Sequence, residues 1–252
     1  SPRHWSARYG IETADGVDPL YLADYDVFME VASGVERNRY SVTLPAMDGG
    51  GDIDEVNRHA TPNLRLLGLL NVRYLAAEFP LDEEGLSKLK RFGETYLYEN
   101  QHFLPRAFVV GHVESREDFE QALTWVEKHD LSRKAVVEQG PSLHSGEIKA
   151  EVTWQEYSPN RLVLDVSLDH PGLLVISQVY YPGWRGRVDG QAVALHRVDA
   201  VLTGLYLESG VREVVLSYQP PTLWLGIIVS ISSLMTCVVL IGRGIRKSRW
   251  DR

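Results

Sequence analysis

Between residues 162 and 169 apolar and polar positions alternate. Leu162, Leu164, Val166 and Leu168 fall on one side, and Val163, Asp165, Ser167 and Asp169 on the other. A period of two is what a half-buried β-strand requires. Val152 to Tyr157 alternates in the same way, and Ser158-Pro159-Asn160 turns the chain between the two runs. His170-Pro171-Gly172 marks another turn before the apolar run Leu173 to Tyr180. Val188-Asp189-Gly190-Gln191 has the Asp-Gly pair of a tight hairpin. Val211 to Tyr218 supplies a last strand, stopped by Pro220-Pro221. Strands recurring at intervals of about eight to twelve residues predict an antiparallel β-sandwich, jelly-roll-like, over residues 146–219.

The pattern upstream, over residues 1–143, mixes two periods. Asp18-Pro19 predicts the start of a helix with Leu22, Tyr25, Phe28 and Ala32 on one face. Thr61-Pro62 predicts a second, LRLLGLLNV, running into the apolar VRYLAA. Tyr96 to Tyr98, Ala107 to Val110 and Lys134 to Glu138 read as strands. Ser115 and Asp118 together predict the start of an amphipathic helix carrying Phe119, Ala122, Leu123 and Val126. The fold class expected is therefore α+β: a small mixed α/β region, then the sandwich, then one C-terminal transmembrane helix.

That last element is LWLGIIVSISSLMTCVVLIG, Leu223 to Gly242, twenty residues without a charge. At about 1.5 Å per residue such a helix spans a hydrocarbon core of about 30 Å. Leu223, Trp224 and Gly242 bound the anchor, Trp224 at interfacial depth. Ser230, Ser232, Ser233 and Thr236 can return their hydroxyls to the helix's own carbonyls, so they do not bar insertion. The tail at 243–252 carries Arg243, Arg246, Lys247, Arg249 and Arg252 against Asp251, so the −8 net charge leaves −12 on the rest of the chain. The positive-inside rule puts that tail in the cytoplasm and the body outside. An acidic body is a poor match for nucleic acid. The single Cys237 rules out a disulfide framework and a cysteine-built zinc site. With no initiator Met and no signal segment at Ser1, the chain reads as part of something longer or as a processed product.

Several segments in this order resemble the YfhO-type bacterial membrane protein family. They are Tyr180-Tyr181-Pro182-Gly183-Trp184, Val188-Asp189-Gly190 and Tyr218-Gln219-Pro220-Pro221 before a membrane helix. Upstream come Tyr9-Gly10, Gly16 to Leu20, Leu70 to Leu75 and Leu104 to Ala107. The resemblance implies a large polytopic protein similar to C-type glycosyltransferases, which use lipid-phosphate-linked sugars at the outer membrane face. Catalytic acids in that group lie in an early extracytoplasmic loop, absent here, so no catalytic residue carries over. For this chain the resemblance implies a C-terminal outward-facing module in the bacterial cell membrane. Its expected partners are the bilayer, the upstream membrane helices of the same protein, and a lipid-linked sugar or surface glycan.

The residues offer two local candidates. Asp48, Asp52 and Asp54 on a Gly-rich loop have the oxygen ligands for a hard cation such as Ca²⁺, although a solvated loop is the better explanation of them; no other cofactor is expected. Tyr180, Tyr181, Trp184, Arg185 and Arg187 combine apolar ring faces with cations, as a sugar-stacking surface needs. The competing explanation is that Trp184 and one Tyr fill the sandwich core. Two observations separate binding from structural support: an exposed aromatic platform around Trp184 would favour a glycan-binding module, and an apolar patch on the outer face of the first region would favour a cap on the membrane core. The eight His show no metal-site spacing, and there is no Gly-x-Ser-x-Gly elbow.

Overall fold

A computed structural model describes residues 9–17, 20–37, 41, 43–46, 58, 60–220, 222 and 226–238. The chain is mostly β-sheet with few helices. In order it runs β1 (Gly16–Val17), α1 (Ala23–Ser33), β2 (Thr43–Leu44), α2 (Leu64–Leu69), β3 (Tyr74–Ala77), β4 (Leu86–Phe92) and β5 (Thr95–Asn100). It continues with β6 (Ala107–Val110), β7 (His112–Arg116), α3 (Phe119–Val126), β8 (Lys134–Glu138) and β9 (Leu143–His144). Then follow β10 (Ala150–Ser158), β11 (Arg161–Leu168), β12 (Gly172–Val179), β13 (Trp184–Val188), β14 (Gln191–Val193), β15 (His196–Val198), β16 (Leu202–Leu207) and β17 (Gly210–Tyr218).

Two sheets face one another. An antiparallel five-stranded sheet has the order β10-β11-β17-β13-β14, and a seven-stranded sheet has the order β6-β12-β16-β15-β8-β7-β9. Leu162, Leu164, Val166 and Leu168 of β11 point into the layer between them, as their alternation requires, and meet Leu174, Ile176 and Leu205 of the seven-stranded sheet. Leu173 and Val175, the intervening residues of β12, face the other way into a second core with Phe28, Leu66, Trp125 and Val137. The helices supply that second cover. A strand buried on both faces cannot alternate, which explains why β12 reads as an unbroken apolar run.

The seven-stranded sheet draws β6–β9 from the first stretch of sequence and β12, β15 and β16 from the second. Its one parallel pair, β7 with β8, is bridged by α3. Asp118 starts α3 by accepting a hydrogen bond from the Gln121 N–H at 2.9 Å, whereas Ser115 belongs to β7. Helix α1 begins at Ala23, with Leu22 in the capping position and no side-chain cap, later than the Asp18-Pro19 signal suggested. Asp18 and Pro19 lie outside the described residues. The Asp-Gly hairpin forms as expected: Asp189 and Gly190 adopt φ of 49° and 78° between β13 and β14.

A separate three-stranded antiparallel sheet, β3-β5-β4, stands beside these layers. At the other end of the chain residues 226–238 are helical and exposed throughout. Among the described residues no helix is long and apolar enough to cross a membrane; of the span expected at 223–242, residues 223–225 and 239–242 lie outside the described residues.

Candidate functional site

Where β12 ends, Tyr180, Tyr181 and Pro182 leave the sheet and border a cavity of about 140 Å³. Its other walls come from the first turn of α1 (Asp24 and Tyr25) and from Arg197 of β15. Arg197 organises the charges. Its Nη1 lies 2.5 Å from Asp24 Oδ2 and 3.6 Å from Glu138 Oε2, and its guanidinium sits 5.6 Å from the centre of the Tyr180 ring. A guanidinium over an aromatic face is attracted by the ring quadrupole, so the contact fixes both side chains. Burial raises Glu138 above the usual carboxylate range, partly offset by Arg197 and reinforced by Asp24 and Asp118. Burial, then the charge of Asp15, raises the Tyr25 phenol, whose hydroxyl donates to the Ala14 carbonyl at 2.9 Å.

The base of the cavity is the turn joining β15 to β16. Asp199 and Ala200 there have φ of 48° and 70°, a pair of left-handed residues with no glycine between them. That conformation costs energy for a residue with a Cβ, so something must hold it. Asp199 does so through Val136: its N–H donates to the Val136 carbonyl at 2.8 Å, and its Oδ1 accepts from the Val136 N–H at 2.9 Å. The residue is fully buried, and Oδ2 has no hydrogen-bond partner. Desolvation pushes its carboxyl up to about 7, against the Val136 hydrogen bond that pulls it down.

Tyr180 and Tyr181 are thus placed together, beside Asp24, Tyr25 and Arg197. Trp184 is half-buried, packs on the layer between the two large sheets, and lies 5.5 Å from the Tyr218 ring, which is 6.2 Å from Tyr181. Arg185 and Arg187 alternate with it on β13 and are exposed; Arg187 Nη1 donates to the Gly190 carbonyl at 2.8 Å and ties down the hairpin turn. Asp48, Asp52 and Asp54 lie outside the described residues, as do Leu223, Trp224, Gly242, Arg243, Arg246 and Lys247.

Sequence reasoning missed the Asp24–Arg197–Glu138 cluster, because Asp24 and Arg197 are 173 positions apart and no local motif joins them. It also missed that His112 and His144 face one another across β7 and β9, with their Nδ1 atoms 3.1 Å apart. Among the described residues no group of three or more His, Cys, Asp or Glu could hold a metal ion.

Comparison with known proteins adds one match. Residues 144–230 fit the family model described as bacterial membrane protein YfhO. No curated protein and no solved structure matches the chain. The matched stretch begins at β9, includes Tyr180, Tyr181 and Arg197, and ends inside the exposed apolar helix. Residues 144–230 are a YfhO-type bacterial membrane protein region.

Proposed function

We propose that the chain is the extracytoplasmic C-terminal module of a polytopic membrane glycosyltransferase that uses lipid-linked sugars. It is not catalytic by itself and supports the membrane core or contacts the acceptor glycan. The observation that carries this reading is the helical stretch 226–238, which leaves Ile228, Val229, Ile231, Leu234, Met235 and Val238 each half exposed or more. Apolar residues at consecutive positions point all round a helix, and a helix apolar all round is stable inside a protein or in lipid, not in water. Two of its hydroxyls are satisfied within the helix: Ser232 Oγ donates to the Ile228 carbonyl at 2.7 Å and Thr236 Oγ1 to that of Ser232 at 2.9 Å. The basic tail then faces the cytoplasm and the acidic body the outside.

Cys237 lies within this stretch and reports on it directly. In sealed vesicles carrying the full chain, Cys237 should resist a membrane-impermeant maleimide until detergent is added. Equal labelling with and without detergent would sink the membrane reading.

The cavity beside Tyr180 and Tyr181 favours the glycan-contact arm of the same proposal. Ring faces next to a fixed guanidinium and carboxylate suit the C–H faces and hydroxyls of one sugar ring. Saturation-transfer NMR with neutral oligosaccharides should show contact that Tyr181→Ala weakens; no transfer to any of them removes this arm.

A further inference from the structure

The fold brings His112 and His144 together although they are 32 positions apart. They stand directly opposite one another in the antiparallel pairing of β7 with β9. The Ser145 N–H donates to the Gly111 carbonyl at 2.8 Å, which makes Gly111 and Ser145 a hydrogen-bonded pair. The next pair, His112 with His144, is then of the non-hydrogen-bonded kind, in which opposing side chains come closest. Their ring centres are 4.5 Å apart, the planes are inclined at 56°, and the two Nδ1 atoms are 3.1 Å apart. Neither ring is enclosed: the His112 side chain is 35% exposed, and His144 is exposed.

Two neutral imidazoles account for that approach with one N–H···N hydrogen bond. The same separation suits two ligands of one metal ion. With nitrogen–metal bonds of about 2.0–2.1 Å, a spacing of 3.1 Å subtends about 100° at the ion, between the square and the tetrahedral angle. The far side of His112 is prepared for that role. Its Nε2 lies 3.6 Å from Glu114 Oε1, and Arg116 holds the other oxygen of Glu114 at 2.7 Å. A carboxylate behind a histidine keeps the proton on the far ring nitrogen and leaves the near one free to ligate. His112 therefore offers the lone pair of Nδ1, and His144 does the same once its proton sits on Nε2.

The neighbouring charges narrow the choice of ion. Lys134 of β8 is the register partner of His112, and Arg116 is engaged with Glu114. Two cations this near disfavour a hard ion held by charge, whereas imidazole nitrogen suits zinc, copper and nickel. Among the described residues no third His, Cys, Asp or Glu joins the pair, so water completes the coordination. We propose that His112 Nδ1 and His144 Nδ1 bind one divalent transition-metal ion of this class, with Glu114 as the outer partner of His112. The ion clips β9 to β7. As the edge strand of its sheet, β9 has two residues and two register pairs, so a link through its side chain adds what its ladder lacks. None of these residues lines the Tyr180 cavity, and the inference does not depend on the membrane reading.

The test uses the full chain in detergent, freed of any affinity tag and titrated with Cu²⁺ as the spectroscopic probe. Electron paramagnetic resonance of the first equivalent should show two coordinated nitrogens. His112→Ala and His144→Ala should each leave one nitrogen and weaken binding by about 100-fold or more, and Glu114→Gln, which keeps both ligands, by about 10-fold. Exposed rings contribute little to the core, so the variants keep the fold. With Zn²⁺ in place of Cu²⁺, amide exchange at Leu143 and His144 should slow in the native chain and stay unchanged in His112→Ala. Survival of the first equivalent in the double variant His112→Ala, His144→Ala would assign the metal to another histidine and overturn the proposal. A single coordinated nitrogen in the native chain, or no saturable binding at micromolar metal, would leave the pair as a hydrogen bond alone and overturn it as well.

Discussion

Strands β12 and β4 have similar lengths and opposite surroundings. In β12, Leu173 and Val175 face the helices while Leu174 and Ile176 face the five-stranded sheet, and all four are at most 1% exposed. In β4 five residues in a row are exposed, two of them apolar. Apolar side chains in β12 are enclosed by the fold; Leu89 and Phe92 of β4 are left about half exposed. The contrast separates residues that make the structure from residues the structure makes available.

The largest effect that could break this contrast is expected in β12. Leu174→Ala removes a fully buried side chain between two layers that cannot close on the gap, so it should cost about 4 kcal/mol. Thermal unfolding of the full chain should begin roughly 10 °C lower. A drop of only a degree or two would mean that the layer is loosely packed.

Next comes Asp199, the buried carboxyl in the turn between β15 and β16 of the same sheet. Its folded-state value of about 7 lies above the unfolded value near 4, so the native state keeps a proton that the unfolded chain releases. The associated stability is present below about pH 4 and is lost as pH rises to about 7, with no further change above. Glu114, Asp130, Asp169 and Asp189 are lowered and act in the opposite sense, losing stability as pH falls through the acid range. Comparison with Asp199→Asn isolates the one group, because the variant keeps an acceptor for the Val136 N–H and cannot ionise. Relative to the native chain, the variant should gain on the order of 3 kcal/mol between pH 4 and pH 7. A constant difference across that window would show that Asp199 titrates normally.

The contrast also explains how far the sequence could be read. Strand β11 alternates because one face is covered and one is open, and its inward residues were legible from spacing alone. The hairpin at Asp189-Gly190 was legible because few residue pairs accept two positive φ values. Strand β4 was not, because Lys88, Lys90 and Arg91 erase the apolar period and the bulge between Lys88 and Lys90 breaks it. Strand β7 was hidden by Ser115 and Asp118, which read as a helix start although only Asp118 caps one. Tyr180 and Tyr181 could be picked for their chemistry, but Asp24 and Glu138 could not, since only the fold brings them to Arg197. Sheet order sets Arg197 of β15 beside Glu138 of β8, and the packing of α1 brings Asp24 to them.

A smaller effect is expected on the body-facing side of the β3-β5-β4 sheet. The Leu81 N–H donates to Tyr98 Oη at 2.9 Å, and that ring is 3% exposed. Tyr98→Phe keeps the ring and removes the acceptor, so it should cost about 1 kcal/mol and speed amide exchange at Leu81. Unchanged exchange would mean that this hydrogen bond does not hold the β3–β4 connection onto β5.

The smallest change in stability should come from the open face, and there the comparison is sharpest. Leu89→Ala and Leu174→Ala delete the same atoms. At Leu89 the side chain is already half in water and its removal leaves no cavity, so unfolding in lipid-free detergent should shift by less than about 0.5 kcal/mol. A loss of several kcal/mol in detergent would place it in a core that the register of β3, β4 and β5 does not provide.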